Sequence, residues 1–344
     1  MALDASTLPE SVVFMLNPEV YSHQVDKVDL VQTHISYVLL AGEYVYKIKK
    51  SVNFGFLDFG DLAKRRFFCD EELRLNQRLC PEIYLEVLAV TREADGALAL
   101  AGSGEPVEYL VKMSRMPESG MMGNLIERGE LTKQHLDLII SKLVPFYRRA
   151  EHGEDITALG SAESVGVNVL ENFDQTRDFV GCSALSREQF DQIEAWSRDF
   201  LRREPLFKQR QQEGRICEGH GDLYSANICF SQDTERVFIF DCIEFNLRFR
   251  CCDVASDIAF LAMDLDLHGL DELSRYFVEQ FKAQADDPHL SDLLPFYCCY
   301  RAYVRGKIGL FTAHAPEVDS LTKEKSLQQA GRYFALAQRY VQSS

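Results

Sequence analysis

The sequence predicts an α+β protein in two lobes. Residues 1–116 form a small β-rich N-terminal lobe with one helix, and residues 117–344 form a large, mostly helical C-terminal lobe. Length is the first reason, since 344 residues suit two domains or one bilobed one. Periodicity supplies the others. Short β-branched and aromatic runs alternate with turn residues up to about Met113, and from about residue 118 the apolar spacing turns helical.

In chain order, residues 1–30 read as a helix and an irregular lead-in, with a short strand at 28–31. Residues 36–40 and 44–48 form a β-hairpin around Ala41-Gly42-Glu43. In its second strand Val45, Lys47 and Lys49 share one face, and Tyr44, Tyr46 and Ile48 the other. Asp61 caps a helix running to about Leu79. Its apolar stripe of Phe68, Leu75 and Leu79 includes Glu72, a carboxylate that needs a partner there. Strands follow at 84–91, 98–101 and 108–113.

In the second lobe Thr132 caps a helix that Pro145 kinks or ends. Residues 152–185, with three glycines, read as a loop-rich insertion. Ser186 and Gln189 form a capping box ahead of the buried stripe Phe190, Ile193, Trp196 and Phe200. Trp196, the sole tryptophan, reads as core. Asp253 caps a helix, and residues 270–342 are nearly all helical.

Composition narrows the class. A hydrophobic content of 46% and a charged content of 26% are those of an ordinary soluble domain. The net charge of -16 argues against a nucleic-acid surface, and no apolar run is long enough to span a bilayer. The acidic N-terminus is no signal peptide. The 10 cysteines lack metal spacing and read as reduced core thiols, so a cytoplasmic location is expected.

Chemistry concentrates in His220-Gly221-Asp222-Leu223-Tyr224-Ser225-Ala226-Asn227, with Asp241 beyond the next strand pair. Asp222 can take a proton from an attacking hydroxyl. Asn227 can offer a carbonyl oxygen, and Asp241 a carboxylate, to a hard cation such as Mg2+. Strands at 227–230 and 236–240, joined by a polar turn, would bring Asp241 back towards Asn227. Any one of these residues alone would read as a turn cap. The frame as a whole is H-G-D-x-x-x-x-N followed by an aspartate.

That frame resembles the catalytic loop of the protein-kinase-like fold, and its glycine variant looks like the aminoglycoside phosphotransferase branch. The resemblance covers most of the chain in order. It implies a bilobed protein-kinase-like fold that binds ATP with Mg2+ and transfers the γ-phosphoryl group to a hydroxyl. In such a fold Asp222 is catalytic, and Asn227 and Asp241 hold the metal. A strand lysine holds the phosphates; Lys47, mid-strand, is the candidate, with Lys49 the alternative. Glu72 positions that lysine. Met113 and Met116 fall at the hinge that receives the nucleotide base, an assignment resting on chain order alone. Asp257 anchors the loop, and Glu244 either holds the loop or faces substrate. The acceptor is expected to be a small molecule, with a protein serine or threonine as the second choice. A nucleotide-binding regulator or pseudokinase is the reading from another class, and a structural protein retaining the fold is a third.

Two departures from the pattern are the missing glycine-rich loop and the lack of a recognisable aminoglycoside site in 270–344. Gln32-Thr33-His34-Ile35-Ser36 stands where many kinases have a glycine-rich loop. The run from His220 through Asp257, together with Tyr300-Arg301-Ala302-Tyr303-Val304-Arg305-Gly306-Lys307, looks like that of bacterial proteins whose kinase-like domain often precedes a P-loop ATPase domain. No G-x-x-x-x-G-K-[ST] occurs here, so a stand-alone version is expected, with a separate ATPase as a possible partner. Arg301 and Arg305 lie one turn apart. They would either bind a phosphate or carboxylate or, the favoured reading, pair with helix acids such as Asp253 or Asp264.

Overall fold

The computed structural model describes residues 8–231, 233, 235–315 and 318–343. The chain forms two compact units. One takes the chain as far as Gly120 together with Phe238–Asn246; the other takes Met121–Val237 and the chain from Leu247 onward. Among the described residues no helix is long and apolar enough to cross a membrane.

The first unit is built on six strands: β1 (Val28–Gln32), β2 (Ser36–Ala41), β3 (Tyr44–Lys49), β4 (Tyr84–Arg92), β5 (Leu98–Leu100) and β6 (Glu105–Ser114). They form one antiparallel sheet in the order β1-β2-β3-β6-β4-β5. Helix α1 (Glu10–Met15) covers the face carrying Leu39, Tyr46, Ile48, Val90 and Leu110, where Val12, Met15 and Tyr21 complete a buried cluster. Strand alternation sends Lys47 and Lys49 to the opposite face. Helix α2 (Leu62–Gln77) packs on β4 and β6, started by Asp61, whose Oδ1 accepts the Lys64 N–H at 2.8 Å. On α2 the guanidinium of Arg65 holds both oxygens of Glu108, at 2.9 and 3.0 Å, and both residues are buried.

The second unit is helical, with longest helices Lys133–Arg149, Leu290–Ala313 and Ser320–Gln342. Thr132 starts the first through a capping box closed by His135. Pro145 neither ends nor divides that helix, which continues to Arg149. Its neighbours Leu143, Val144, Phe146 and Tyr147 are buried, and that packing outweighs a local proline cost of roughly 3 kcal/mol. The expected loop-rich insertion at 152–185 is largely helical, with helices Glu154–Ala158 and Ala162–Thr176. Gly166 is buried inside the second, close to Leu201, so glycine here marks close packing and not a loop.

The Ser186–Gln189 capping box forms and leads helix Arg187–Leu201. Trp196 is half-buried, its ring 5.4 Å from Phe200 and 6.2 Å from Phe296. Asp253 caps helix Val254–Leu267 through the Ala255 N–H, and also meets the fully buried Arg210 at 2.8 Å. Arg210 reaches Asp287 as well. This buried triad went unread in the sequence because its members lie far apart in the chain. All 10 cysteines are free thiols, eight of them buried and Cys182 and Cys252 half-buried.

Candidate functional site

Strand β3 aims two ammonium groups at one carboxylate in the first unit. Lys47 Nζ lies 2.8 Å from Glu72 Oε1, and Lys49 Nζ lies 2.6 Å from Glu72 Oε2. Glu72 is fully buried, as its place on the apolar stripe of α2 requires. Lys47 also donates to Asp241 Oδ1 at 2.7 Å. Lys49, 1% exposed, is ion-paired on its other side with Glu244 and sits 4.9 Å above the Phe59 ring.

These charges set one another's titration. Burial would lower the Lys47 pKa, but Asp241 and Glu72 outweigh it and hold the group well above the usual lysine value. Lys49 is raised in the same way by Glu244 and Glu72 against its burial. Burial pushes Glu72 up, and the two lysines more than reverse this, bringing it down to about 2. Burial raises Glu244, with Lys49 only partly offsetting it.

Asp241 has a left-handed backbone, φ 63°, which is uncommon for a residue with a Cβ. The Tyr84 hydroxyl accepts its N–H at 3.3 Å, and Asn76 Oδ1 accepts the next N–H, of Cys242, at 2.9 Å. The Asp241 side chain stays 43% exposed beside Lys47. Glu244, by contrast, is buried on Lys49, the arrangement expected of a residue that holds the segment.

In the second unit one carboxylate organises the histidine-glycine-aspartate turn. Asp257 Oδ2 accepts the His220 N–H at 2.7 Å and the Tyr147 hydroxyl at 3.1 Å; Oδ1 accepts the Gly221 N–H at 2.9 Å. Gly221 has φ 85°, which explains the glycine of the motif. A Cβ on neighbouring Gly219 would meet Asp257 Oδ2 at 2.5 Å, so that glycine also makes room for the anchor. The fully buried His220 presents Nδ1 to the Asp222 N–H at 3.2 Å. Asn227 Nδ2 donates to the Asp222 carbonyl and to Asp222 Oδ2, both at 2.9 Å. With its NH2 committed there, Asn227 keeps Oδ1 as its acceptor.

Arg301 donates to the Gly221 carbonyl at 2.9 Å and the Ser256 carbonyl at 3.3 Å, and lies 3.7 Å from Asp257. The favoured expectation, pairing with helix acids, is met for Arg301, though by Asp257 and not by Asp253 or Asp264. Asp253 is taken by Arg210, Asp264 accepts the Ser225 N–H, and Arg305 stacks on tyrosines.

The expected residues thus fall into two sets: Lys47, Glu72 and Asp241 meet in one unit, and Asp222 meets Asn227 in the other. Met113 is the penultimate residue of β6, paired with Val45 and Tyr84, and Met116 follows two residues past the strand; both are half-buried. At Gln32–Ser36 the Thr33 hydroxyl accepts the Ile35 and Ser36 N–H groups, closing the turn on itself. The sequence did not single out Tyr84 or the Lys49–Glu244 pair. The one available signal was Lys49 itself, a second lysine on an otherwise buried strand face.

No protein-family model matches the chain. Its fold is that of the aminoglycoside phosphotransferases and the choline and ethanolamine kinases. An ethanolamine kinase of Plasmodium vivax superposes with a TM-score of 0.52 at 11% identity, covering 94% of this chain and 89% of its own. An amicoumacin kinase solved with AMP-PNP, Ca2+ and its antibiotic gives 0.51 at 13%, covering 95% and 94%. The streptomycin-bound aminoglycoside phosphotransferase of Streptomyces rimosus gives 0.50 at 14%, covering 86% and 99%. At 11–14% identity these likenesses show the fold, that of the kinase-like aminoglycoside phosphotransferases. In sequence it is 33% identical over 282 residues to uncharacterised proteins of Mycobacterium tuberculosis and Mycobacterium bovis, matching 82% of this chain and 54% of theirs. The chain therefore spans about half the length of the curated relatives it matches.

Proposed function

We propose that the protein is an ATP- and Mg2+-dependent phosphotransferase that moves the γ-phosphoryl group to the hydroxyl of a small molecule. The observation that carries this reading is the Asp222–Asn227 pair, held on a turn whose backbone is hydrogen-bonded to Asp257. Likeness of fold to small-molecule kinases supports it.

In this reading Asp222 orients the acceptor hydroxyl and takes its proton as the oxygen attacks. The Asn227 N–H bond to Oδ2 keeps the carboxylate turned and lowers its freedom to rotate away. Lys47, held cationic by Asp241 and Glu72, meets the phosphates, and the buried Lys49–Glu244 pair fixes the strand and segment that carry Lys47 and Asp241. The base of the nucleotide would lie against the chain between Met113 and Met116. Among the described residues no group of three or more His, Cys, Asp or Glu side chains is arranged to hold a metal ion. The donor chemistry fits Mg2+ nonetheless, because this ion takes few protein oxygens and completes its shell with water and phosphate. Asn227 Oδ1 and the exposed Asp241 carboxylate would hold it. Bound there, it would neutralise phosphate charge. Most of the rate would come from positioning and charge neutralisation, since phosphoryl transfer asks little covalent help of the protein.

Thermal unfolding with and without Mg-ATP tests the reading. At a hundredfold excess over Kd, binding adds about 2.7 kcal/mol, a rise of about 5 °C for a protein of this size. The rise should require Mg2+ and be lost in Asp241→Ala. Asp222→Ala should keep the rise and lose transfer. A variant at Asp222 that retains full cellular function would instead favour a nucleotide-binding regulator.

A further inference from the structure

Asp241, the carboxylate proposed for the metal, sits on a backbone that its surroundings must hold. Its φ of 63° lies in the left-handed region, where a Cβ crowds the chain. Among the described residues two other non-glycine residues have positive φ, Ala101 and Asp286, and both lie exposed just past the end of an element. Asp241 instead follows strand Val237–Ile239, is half-buried, and is succeeded by the fully buried Cys242. An exposed turn can give its hydrogen bonds to water, whereas a buried one needs partners from the protein.

Three side chains of the same unit supply those partners, at steps of four along the chain. Asn76, in the last turn of α2, accepts the Cys242 N–H at Oδ1, 2.9 Å away. Cys80, just past the helix, directs its thiol to the Ile239 carbonyl at 3.1 Å. Tyr84, the first residue of β4, accepts the Asp241 N–H at 3.3 Å. All three are buried, none more than 1% exposed. The Asn76 amide is itself oriented, because its Nδ2 donates to the Glu72 carbonyl at 2.8 Å. Glu72 lies one turn earlier on α2 and meets Lys47, which donates to Asp241 Oδ1 at 2.7 Å. One helix therefore fixes Asp241 twice, through its backbone and through its carboxylate. Packing by itself would be served by apolar residues at these three positions; their polar atoms all go to the backbone of residues 239–242.

We infer that Asn76, Cys80 and Tyr84 are positioning residues, which hold residues 239–242 in the conformation that keeps the Asp241 carboxylate beside Lys47, so that the metal position is formed before the ion arrives. The inference rests on the reading of Asp241 as a ligand of Mg2+. Without the Tyr84 oxygen the Asp241 N–H lacks its acceptor, and the residue relaxes towards negative φ, which redirects its Cβ and carboxylate. The ion must then restore the strained form as it binds, and its affinity falls by the fraction of molecules that hold that form.

Calorimetric titration with Mg-ATP, and with ATP in EDTA at the higher concentrations that metal-free binding needs, tests this without turnover. The ratio of the two dissociation constants measures what the metal adds. Tyr84→Phe keeps the ring and removes the acceptor; it should lower that ratio about tenfold and change metal-free binding less than about twofold. Tyr21→Phe is the control: it removes a buried hydrogen bond to the Met15 carbonyl in the same unit, and should lower stability in urea with the ratio unchanged. Cys80→Ala should also lower the ratio, and Cys80→Ser, which keeps a donor, should recover it. Should Tyr84→Phe fail to fold, the two Cys80 variants decide. Asp241→Ala should lower the ratio furthest. If Asp241→Ala lowers it while Tyr84→Phe and Cys80→Ala keep the wild-type value, or if Tyr21→Phe lowers it as much as they do, the inference is overturned and the Mg2+ reading stands. A wild-type ratio near one, or a ratio that Asp241→Ala leaves unchanged, overturns the Mg2+ reading of Asp241 and the inference with it.

Discussion

Lys47 and Lys49 divide the Glu72 carboxylate between them, one ammonium on each oxygen, at 2.8 and 2.6 Å. Asp241 and Glu244 close the far sides, so two cations and three carboxylates interlock within one unit. Such a cluster costs desolvation to assemble, and removing one member strands the others. The Glu72→Gln protein should lose about 3–5 kcal/mol in urea unfolding, far more than a surface pair would cost.

The Lys49–Glu244 pair offers a sharper check. Lys49→Met takes the ion-pair partner from the buried Glu244 carboxylate, whereas Lys49→Met with Glu244→Gln removes both charges. The double variant should be more stable than Lys49→Met alone by about 1 kcal/mol or more, contrary to additivity. Strict additivity in a double-mutant cycle would mean that the pair carries no coupling.

Acid should unfold the protein partly through Glu72. Its folded pKa of about 2 lies below the ordinary 4.5, so its stabilisation is complete above 4.5 and is lost as pH falls towards 2. The amount is roughly 3 kcal/mol at 1.4 kcal/mol per pH unit. A series of unfolding curves between pH 6 and pH 2 should show this slope in wild type, and a shallower one in Glu72→Gln.

At the turn, Asp257→Ala removes the acceptor of two backbone N–H groups and of the Tyr147 hydroxyl at once. A loss of about 3 kcal/mol or more is expected, against about 1 kcal/mol for Tyr147→Phe. Gly221→Ala should fall between, at about 1–2 kcal/mol, because alanine is strained at φ 85°. Chemical denaturation of the three variants orders them.

Lys307 titrates in an accessible range. Burial lowers its pKa to about 8, with Glu171 opposing, and its ammonium donates to Gln175 Oε1 at 2.8 Å. The folded state therefore sheds this proton before the unfolded state does, and stability from this group rises with pH between about 8 and 10.5. A lysine side-chain NMR titration should find one midpoint near 8, absent in Lys307→Met.

Much of this was written in the local order of residues. Alternation along β3 placed Lys47 and Lys49 on one face, helical spacing placed Glu72 on the buried stripe of α2, and Asp61 and Ser186 announced their helices. Periods of two and 3.6 are properties of the backbone and need no partner to be read. The spacing of His220, Asp222 and Asn227 named a loop for the same reason, since a turn and its cap are local.

The tertiary structure decided what each charge meets. Lys47 and Lys49 looked like alternatives until Asp241 took one and Glu244 the other. Arg301 and Arg305 looked like a matched pair until Asp257 and the Gly221 carbonyl engaged the first and left the second to Tyr224. Gly166, which read as part of a loop, proved to lie inside a helix against Leu201, because close packing rewards the missing side chain. Ion pairing and close packing depend on distance in space, and residues far apart in the chain become neighbours only once the fold is made.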